Sequence, residues 1–564
     1  MRSDEVPWWR RGVVYQVYPR SFADANGDGI GDIEGIRQRL VYLRDLGVDA
    51  IWISPWYPSP LNDGGYDVVD YRDIHPMFGT LADAERLLAD AHAVGIRVIV
   101  DIVPNHTSSE HPWFQAALEA GRGSRERERY IFREGRGKHG ELPPTNWNAS
   151  FGGPAWKRVA DGQWYLHLFD PTQPDLNWEN EEVRAEFDDI FRFWLDRGVD
   201  GFRIDVAHGT VKDELFPDAD HEQLRRGSSL LDMHPHWDRH GVHEINRRWR
   251  KLLDDRDREV MMVAEAWVRP ERLPFYLRPD EYHQSFNFDF LTQPWDRDDA
   301  IRAIDRATTA AAEVGSTPTW TLSNHDVMRH TTRYGLPNDV DWQRWPLDGP
   351  HGLLDPERGL RRARAATMVL MALPGSIYIY QGEELGLPEV WDLPADVLDD
   401  PVWENSGHTR KGRDGCRVPL PWKATARAYG FGDADPWLPQ PPAFAGYAVD
   451  VQTGVVGSTL EMYRSGLALR RKFFECDETL HWIDLGEEVL AFERGSGIVC
   501  ALNYGDEPVP MPTGQVLLSS TGDLDVIAPE GCVWYDPAAR PSLLERRLAR
   551  TARRDGASRY PTVT

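Results

Sequence analysis

The chain has 564 residues, 41% apolar and 27% charged, the balance of a globular protein too long for one simple core. A formal net charge of −26 argues against nucleic-acid or anionic-membrane binding, both of which need clustered cations. The N-terminal MRSDEVPWWRRGVVYQ lacks the apolar stretch of a signal peptide, and the most apolar run, 365–380, is broken by Pro374, Gly375 and Ser376, so no membrane span is expected.

Short β-branched or aromatic runs alternate with amphipathic stretches along most of the chain. The predicted strands cover 13–18, 50–54, 97–103, 201–206, 260–266, 285–289, 317–322 and 376–380. Between them, stretches such as 33–46 and 81–94 repeat apolar residues at helical spacing and end on Gly47 and Gly95. Eight such alternations predict an α/β fold, a (β/α)8 TIM barrel of parallel strands joined by right-handed crossovers. Residues 1–104 would form its first part and 177–479 its second. The stretch between them, 105–176, is rich in Gly, Pro, Trp and Arg. It is too long for an unstructured loop, so a small inserted domain after strand 3 is expected. A second irregular insert, 384–438, follows strand 8. From 480 to 541, runs at 489–492, 499–502 and 516–518 separated by Gly and Pro turns predict a C-terminal all-β domain. The tail 542–564 is locally basic and reads as a peripheral helix with a frayed end. Four cysteines (Cys416, Cys476, Cys500, Cys532) have no paired or ligand-like spacing, which predicts reduced thiols, no zinc site and a cytoplasmic protein.

A barrel of this kind carries its site at the C-terminal ends of its strands. Strand 3 ends in DIVPNH (Asp101, Asn105, His106), strand 4 in GFRIDVAHG (Arg203, Asp205), strand 5 in VAEAW (Glu265) and strand 7 in LSNHD (His325, Asp326). Each alone reads equally as a capped loop or a buried salt bridge. Three carboxylates converging on one mouth beside two histidines and an arginine are costly to bury, and that cost implies use. Two carboxylates about 5–5.5 Å apart can cleave a glycosidic bond, one attacking the anomeric carbon while the other protonates the leaving oxygen. Arg203, on the same strand face as Asp205, is expected to lower its pKa, and Glu265 is expected to sit where its proton is retained. The 23 tryptophans serve either a large core or platforms on which sugar rings stack.

DIVPNH, GFRIDVAHG, EAW and SNHD, in this order, closely resemble the four signature regions of the α-amylase family, glycoside hydrolase family thirteen, over residues 8–537. The resemblance implies Asp205 as nucleophile, Glu265 as general acid/base and Asp326 as the third carboxylate, holding the sugar ring distorted. It implies that His106 and His325 donate to sugar hydroxyls, that Arg203 partners the nucleophile and that Tyr66 is the platform beneath the sugar. QPDLNW, 173–178, looks like the fifth region of the α-glucosidase and oligo-1,6-glucosidase group. In that group Asp63 matches an acid at the far edge of the terminal glucose. Arg413 and Arg417, in GRDGCRVPLPW, match an arginine pair of which one is thought to bond that acid, and Phe169 and Gln173 match residues nearby. RVPLPW departs from the group's RTPMQW, so the aglycone side is expected to be reshaped.

The function implied is a retaining exo-acting α-glucosidase, releasing terminal α-1,4- or α-1,6-linked glucose from maltose, isomaltose and maltodextrins. The alternative is a glucosyl transferase or isomerase on the same scaffold, like trehalose synthase or sucrose isomerase. A non-catalytic barrel, as in transporter heavy chains, ranks last because all three acids are kept. Val206 matches a position associated with α-1,6 bonds, but one methyl-for-hydroxyl difference is worth only about 1–2 kcal/mol and does not decide linkage. Glu383 and Glu384 read as loop anchors. DANGDGIGD, 24–32, places oxygen ligands at alternate positions as calcium loops do, yet Gly35 stands where an EF-hand needs glutamate. In the α-glucosidase group a matching loop binds one structural Ca2+ through Asp24, Asn26, Asp28, the Ile30 carbonyl and Asp32. The bland alternative is a metal-free Gly/Asp turn. Small α-glucosides are the expected partners, without nucleic acid or membrane.

Overall fold

The computed structural model describes residues 6–221, 234–474 and 477–539. The basic tail and Cys476 lie outside the described residues. Eight parallel strands form one sheet, Val13–Val17, Ala50–Ile53, Arg97–Ile102, Gly201–Ile204, Met261–Ala264, Gln284–Ser285, Thr319–Thr321 and Ser376–Tyr380. Their spatial order is seventh, eighth, first and on to sixth, so the sheet curls into a nearly closed TIM barrel. Among the described residues no ladder joins the sixth and seventh strands; across that seam the Thr319 hydroxyl donates to the Ser285 carbonyl. The strands are almost wholly buried because each lies between the barrel interior and the helical coat, which is why they read as continuous apolar runs.

Two predicted elements differ. The expected strand 285–289 stops at Ser285, because the Asn287 side chain accepts the Phe290 amide and caps a helix over Phe288–Thr292. The expected helix 33–46 is two, Ile33–Gln38 and Leu40–Leu46, separated at Arg39, whose guanidinium lies 4.5 Å from the Trp422 ring centre. Gly47, at φ 105°, closes the second helix in the left-handed conformation that a side chain disfavours.

Between the third and fourth strands, Phe132–Glu134, Gln163–Leu166 and Trp156–Arg158 form a three-stranded antiparallel sheet. Its core of Trp147, Trp156, Leu166 and Leu168 is continuous with Val206 and Trp237, so this segment packs directly on the loop that follows the fourth strand. At the C-terminal end, five antiparallel strands from Leu480–Trp482 to Cys532–Asp536 make a separate sheet. The helix Pro356–Ala372 carries Arg358, Arg361 and Arg362, all three of which pair with Glu530 and fasten that sheet to the barrel. Among the described residues no helix is long and apolar enough to cross a membrane.

Candidate active site

Strand register assembles the first half of the site. Asp101 on the third strand lies opposite Arg203 on the fourth, and Ile204 lies opposite Ala264 on the fifth. The residues that follow, Asp205 and Glu265, therefore emerge side by side, each continuing the ladder by a 2.9 Å backbone bond to the preceding strand. Arg203 is buried between them. Its Nη1 reaches Asp205 at 2.5 Å and Asp101 at 3.0 Å, and its Nη2 reaches Glu265 at 3.1 Å. Because Asp205 and Glu265 bond opposite ends of one planar guanidinium, their bonded oxygens stand no more than about 8 Å apart. Glu265 is fixed further by the Val206 amide at 2.8 Å and the Trp267 indole at 3.0 Å. Val206, directly after Asp205, has φ 46°, a strained conformation for a β-branched residue.

Charge in this half differs from the sequence expectation. Arg203 was expected to lower the Asp205 pKa, and it does pull that way. Burial nevertheless raises the Asp205 carboxyl well above its ordinary range, with Glu265 and Asp101 adding to the rise. Burial is the larger cause, and one guanidinium shared among three carboxylates does not offset it. Burial pushes Asp101 up to about 7 against Arg203 and the donors Trp52 and Tyr66, each 3.1 Å from its Oδ2.

The other half gathers around Asp326. Its Oδ1 accepts from Arg413 at 2.9 Å and Arg417 at 3.2 Å, and its Oδ2 lies 3.3 Å from His325 Nε2. Burial opposes ionisation, but His325 and the arginines outweigh it and hold Asp326 well below the usual carboxylate range. Burial pushes His325 down to about 3, so its ring is neutral at physiological pH. Gln16 Nε2 donates to its Nδ1 at 2.7 Å, which leaves the proton on Nε2, facing Asp326. Tyr66 stacks on the His325 ring at 5.2 Å and 8°, aimed by the tight turn at Gly64 and Gly65, both at positive φ. His106, pushed down to about 4 by burial, approaches the Tyr66 carbonyl at 3.2 Å.

Arg413 then links Asp326 to Asp63, which it reaches at 2.6 Å. Of the two arginines it is Arg413 that bonds Asp63; Arg417 instead donates to the His325 carbonyl at 2.9 Å. Gln173 donates to Asp63 at 2.9 Å, and Phe169 lies 5.2 Å from the His106 ring. Every residue singled out in the sequence for catalysis or substrate binding thus joins one connected constellation. Sequence reasoning missed Gln16, Trp52, Asp400, which pairs with Arg413 at 2.5 Å, and Phe151, whose ring centre lies 4.9 Å from the Arg413 guanidinium. Gln16 had a signal, since a polar residue inside the apolar strand VVYQV marks a buried hydrogen-bonding position. Asp400 lies in an insert with no periodicity to read. Glu383 and Glu384 tie down the turn after the eighth strand: Glu384 accepts from Tyr15 and Tyr42, and Glu383 accepts the Tyr380 amide.

The 24–32 loop is a nest of side-chain-to-backbone bonds. Asp24 accepts the Gly27 and Gly29 amides, Asn26 the Asp28 amide, Asp28 the Ile30 amide, and Asp32 those of Ala25, Asn26 and Gly35. The all-oxygen donor set suits calcium. Among the described residues no three His, Cys, Asp or Glu side chains stand together as a ready ligand set, the loop's carboxylates being taken up by backbone amides. The loop also holds the insert after strand 8, through Asp24 N–H to the Phe431 carbonyl and Trp437 N–H to the Gly29 carbonyl.

Comparison with known proteins agrees with this architecture. The family model of the alpha-amylase catalytic domain matches residues 16–476. The chain is 36% identical over 519 residues to a probable alpha-glucosidase of Rhizobium meliloti (strain 1021), covering 89% of this chain and 90% of that one. It is 35% identical over 511 residues to an oligo-1,6-glucosidase of Heyndrickxia coagulans, covering 83% and 85%. Among solved structures it resembles the alpha-glucosyl transfer enzyme XgtA, with TM-score 0.81, 35% identity, and coverage of 94% of this chain and 99% of that one.

Proposed function

We propose that this chain, which belongs to the alpha-amylase family, is a retaining, exo-acting α-glucosidase that removes terminal α-linked glucose from short oligosaccharides. The observation that carries the reading is the guanidinium of Arg203 bridging Asp205 and Glu265. Asp205 attacks the anomeric carbon as Glu265 gives its proton to the leaving oxygen, leaving a glucosyl ester on Asp205. Glu265, now a base, takes a proton from water, which attacks the same carbon and frees α-glucose and Asp205. Asp326 and His325 hold sugar hydroxyls from one side and His106 from the other, above Tyr66. The Arg413–Asp63–Gln173 chain closes the pocket beyond the terminal sugar, which accounts for removal of one glucose at a time. Maltose and isomaltose both remain substrates in this reading.

Incubation with maltose and with isomaltose, followed by NMR from the first minute, tests it. α-Glucose as the first product supports the reading, and β-glucose as the first anomer overturns the retaining mechanism. Glucosyl transfer to a second sugar is the alternative reading, favoured by the resemblance to a glucosyl transfer enzyme. It uses the same carboxylates, and a disaccharide isomer accumulating with little free glucose would select it. The reading further includes one structural calcium at Asp24, Asn26, Asp28, the Ile30 carbonyl and Asp32, remote from the chemistry, and a cytoplasmic setting suited to the buried thiols Cys416, Cys500 and Cys532.

A further inference from the structure

We propose that Asp400 is the positioning residue of the pocket's closed end, fixing Arg413 so that it can bond Asp63 and Asp326 at once; this rests on the glucosidase reading above. Arg413 faces three carboxylates. Its Nη1 goes to Asp326 and its Nη2 to Asp63, while the Nε edge is met by Asp400 Oδ2 at 2.5 Å. Asp400 Oδ1 stands 3.3 Å from Nη2, so the carboxylate grips the guanidinium along one edge and sets its plane. The same Oδ2 accepts the Arg413 backbone amide at 2.9 Å, and Oδ1 accepts the Val402 amide at 2.9 Å. Asp400 is 2% exposed and cannot itself reach a sugar.

Two further features fit a dedicated device. Gly412 has φ 80°, and a Cβ there would lie 2.7 Å from the Asp400 carboxyl carbon, so only glycine lets the chain approach this closely. Asp414 accepts the Asp400 amide at 3.0 Å and so anchors the backbone from which the carboxylate projects. A stem of three methylenes gives an unsupported arginine many rotamers; an edge grip selects the one whose two ends span the pocket.

The bland reading is that Asp400 merely caps the helix Pro401–Asn405 through Val402. Asp400→Asn separates the two, because its amide oxygen can keep the cap while its NH2 faces the Arg413 donors. With p-nitrophenyl α-glucoside, KM should rise about tenfold or more while kcat stays within about threefold, and the inhibition constant of free glucose should rise in parallel. The melting temperature should move little. In an Arg413→Ala background, Asp400→Asn should add less than about twofold, since its hydrogen-bonded partner is gone and only Arg417, 3.7 Å away, still faces it. Unchanged KM in the folded variant, or losses that multiply in the double mutant, would overturn the proposal. Should Asp400→Asn fail to fold, Asp400→Ser keeps the cap but cannot reach the guanidinium, and the same outcomes apply. A wild-type chain that does not cleave the aryl glucoside would instead sink the glucosidase reading.

Discussion

Glu383→Gln should make the protein less sensitive to pH between about 5 and 8, its stability advantage over the wild type growing as pH rises. Burial pushes Glu383 up to about 8, against an ordinary 4.5, with the Tyr380 amide and Arg329 pulling only partly the other way. A carboxyl whose folded pKa is raised contributes stability that is fully present below the unfolded pKa and is lost as pH climbs through the folded one. Here that window runs from about 4.5 to about 8. Each unit of difference is worth about 1.4 kcal/mol, so the loss accrued by pH 7 is about 3 kcal/mol. The side chain is 5% exposed, so solvent screening does little to reduce it. Glutamine copies the protonated acid: its oxygen can accept the Tyr380 amide at 3.0 Å, and its NH2 can face the Tyr463 hydroxyl, now 3.4 Å from Oε2. Melting curves of both proteins from pH 5 to 8.5 supply the assay, read as differences in Tm because a chain of this size need not unfold in one step. The two should nearly coincide at pH 5 and diverge in favour of Glu383→Gln by pH 8. A difference that stays constant with pH would refute the reasoning, since it would mean that the carboxyl titrates alike in folded and unfolded chains.

Asp205→Asn should lower kcat by roughly 10⁴-fold without changing the circular dichroism spectrum, and near-normal turnover would remove Asp205 from its role. Glu265→Gln should harm maltose turnover far more than that of aryl glucosides with good leaving groups, which need little protonation; equal losses on both would count against Glu265 as the acid. A chelator should lower Tm by several degrees, reversed by added calcium, if an ion completes the 24–32 loop. An unchanged Tm would leave the backbone bonds of Asp24 and Asp32 as the whole of that loop's stability.

Legibility in the sequence followed chemistry that recurs at fixed intervals. Alternating apolar runs revealed the barrel, and the segments around Asp101, Asp205, Glu265 and Asp326 revealed its acids, because each stands where a strand gives way to a loop. The irregular insert after strand 8 was harder. Arg413 and Arg417 were visible through GRDGCR, but Asp400, thirteen positions earlier on the same insert, has neither period nor motif to announce it. The sixth strand ended early for a similar reason, since one capping side chain at Asn287 overrode a run of β-prone residues.

What the sequence determined by itself was the order of elements and the kinds of side chain each delivers to the barrel mouth. Those follow from local periodicity and residue chemistry. What only tertiary structure decided was the sharing of charge: that one arginine on the fourth strand answers to three acids, and that Arg413 rather than Arg417 reaches Asp63. Electrostatic energies depend on distance and on how much water is excluded, and both are set by strands and loops hundreds of residues apart that meet only when the barrel closes.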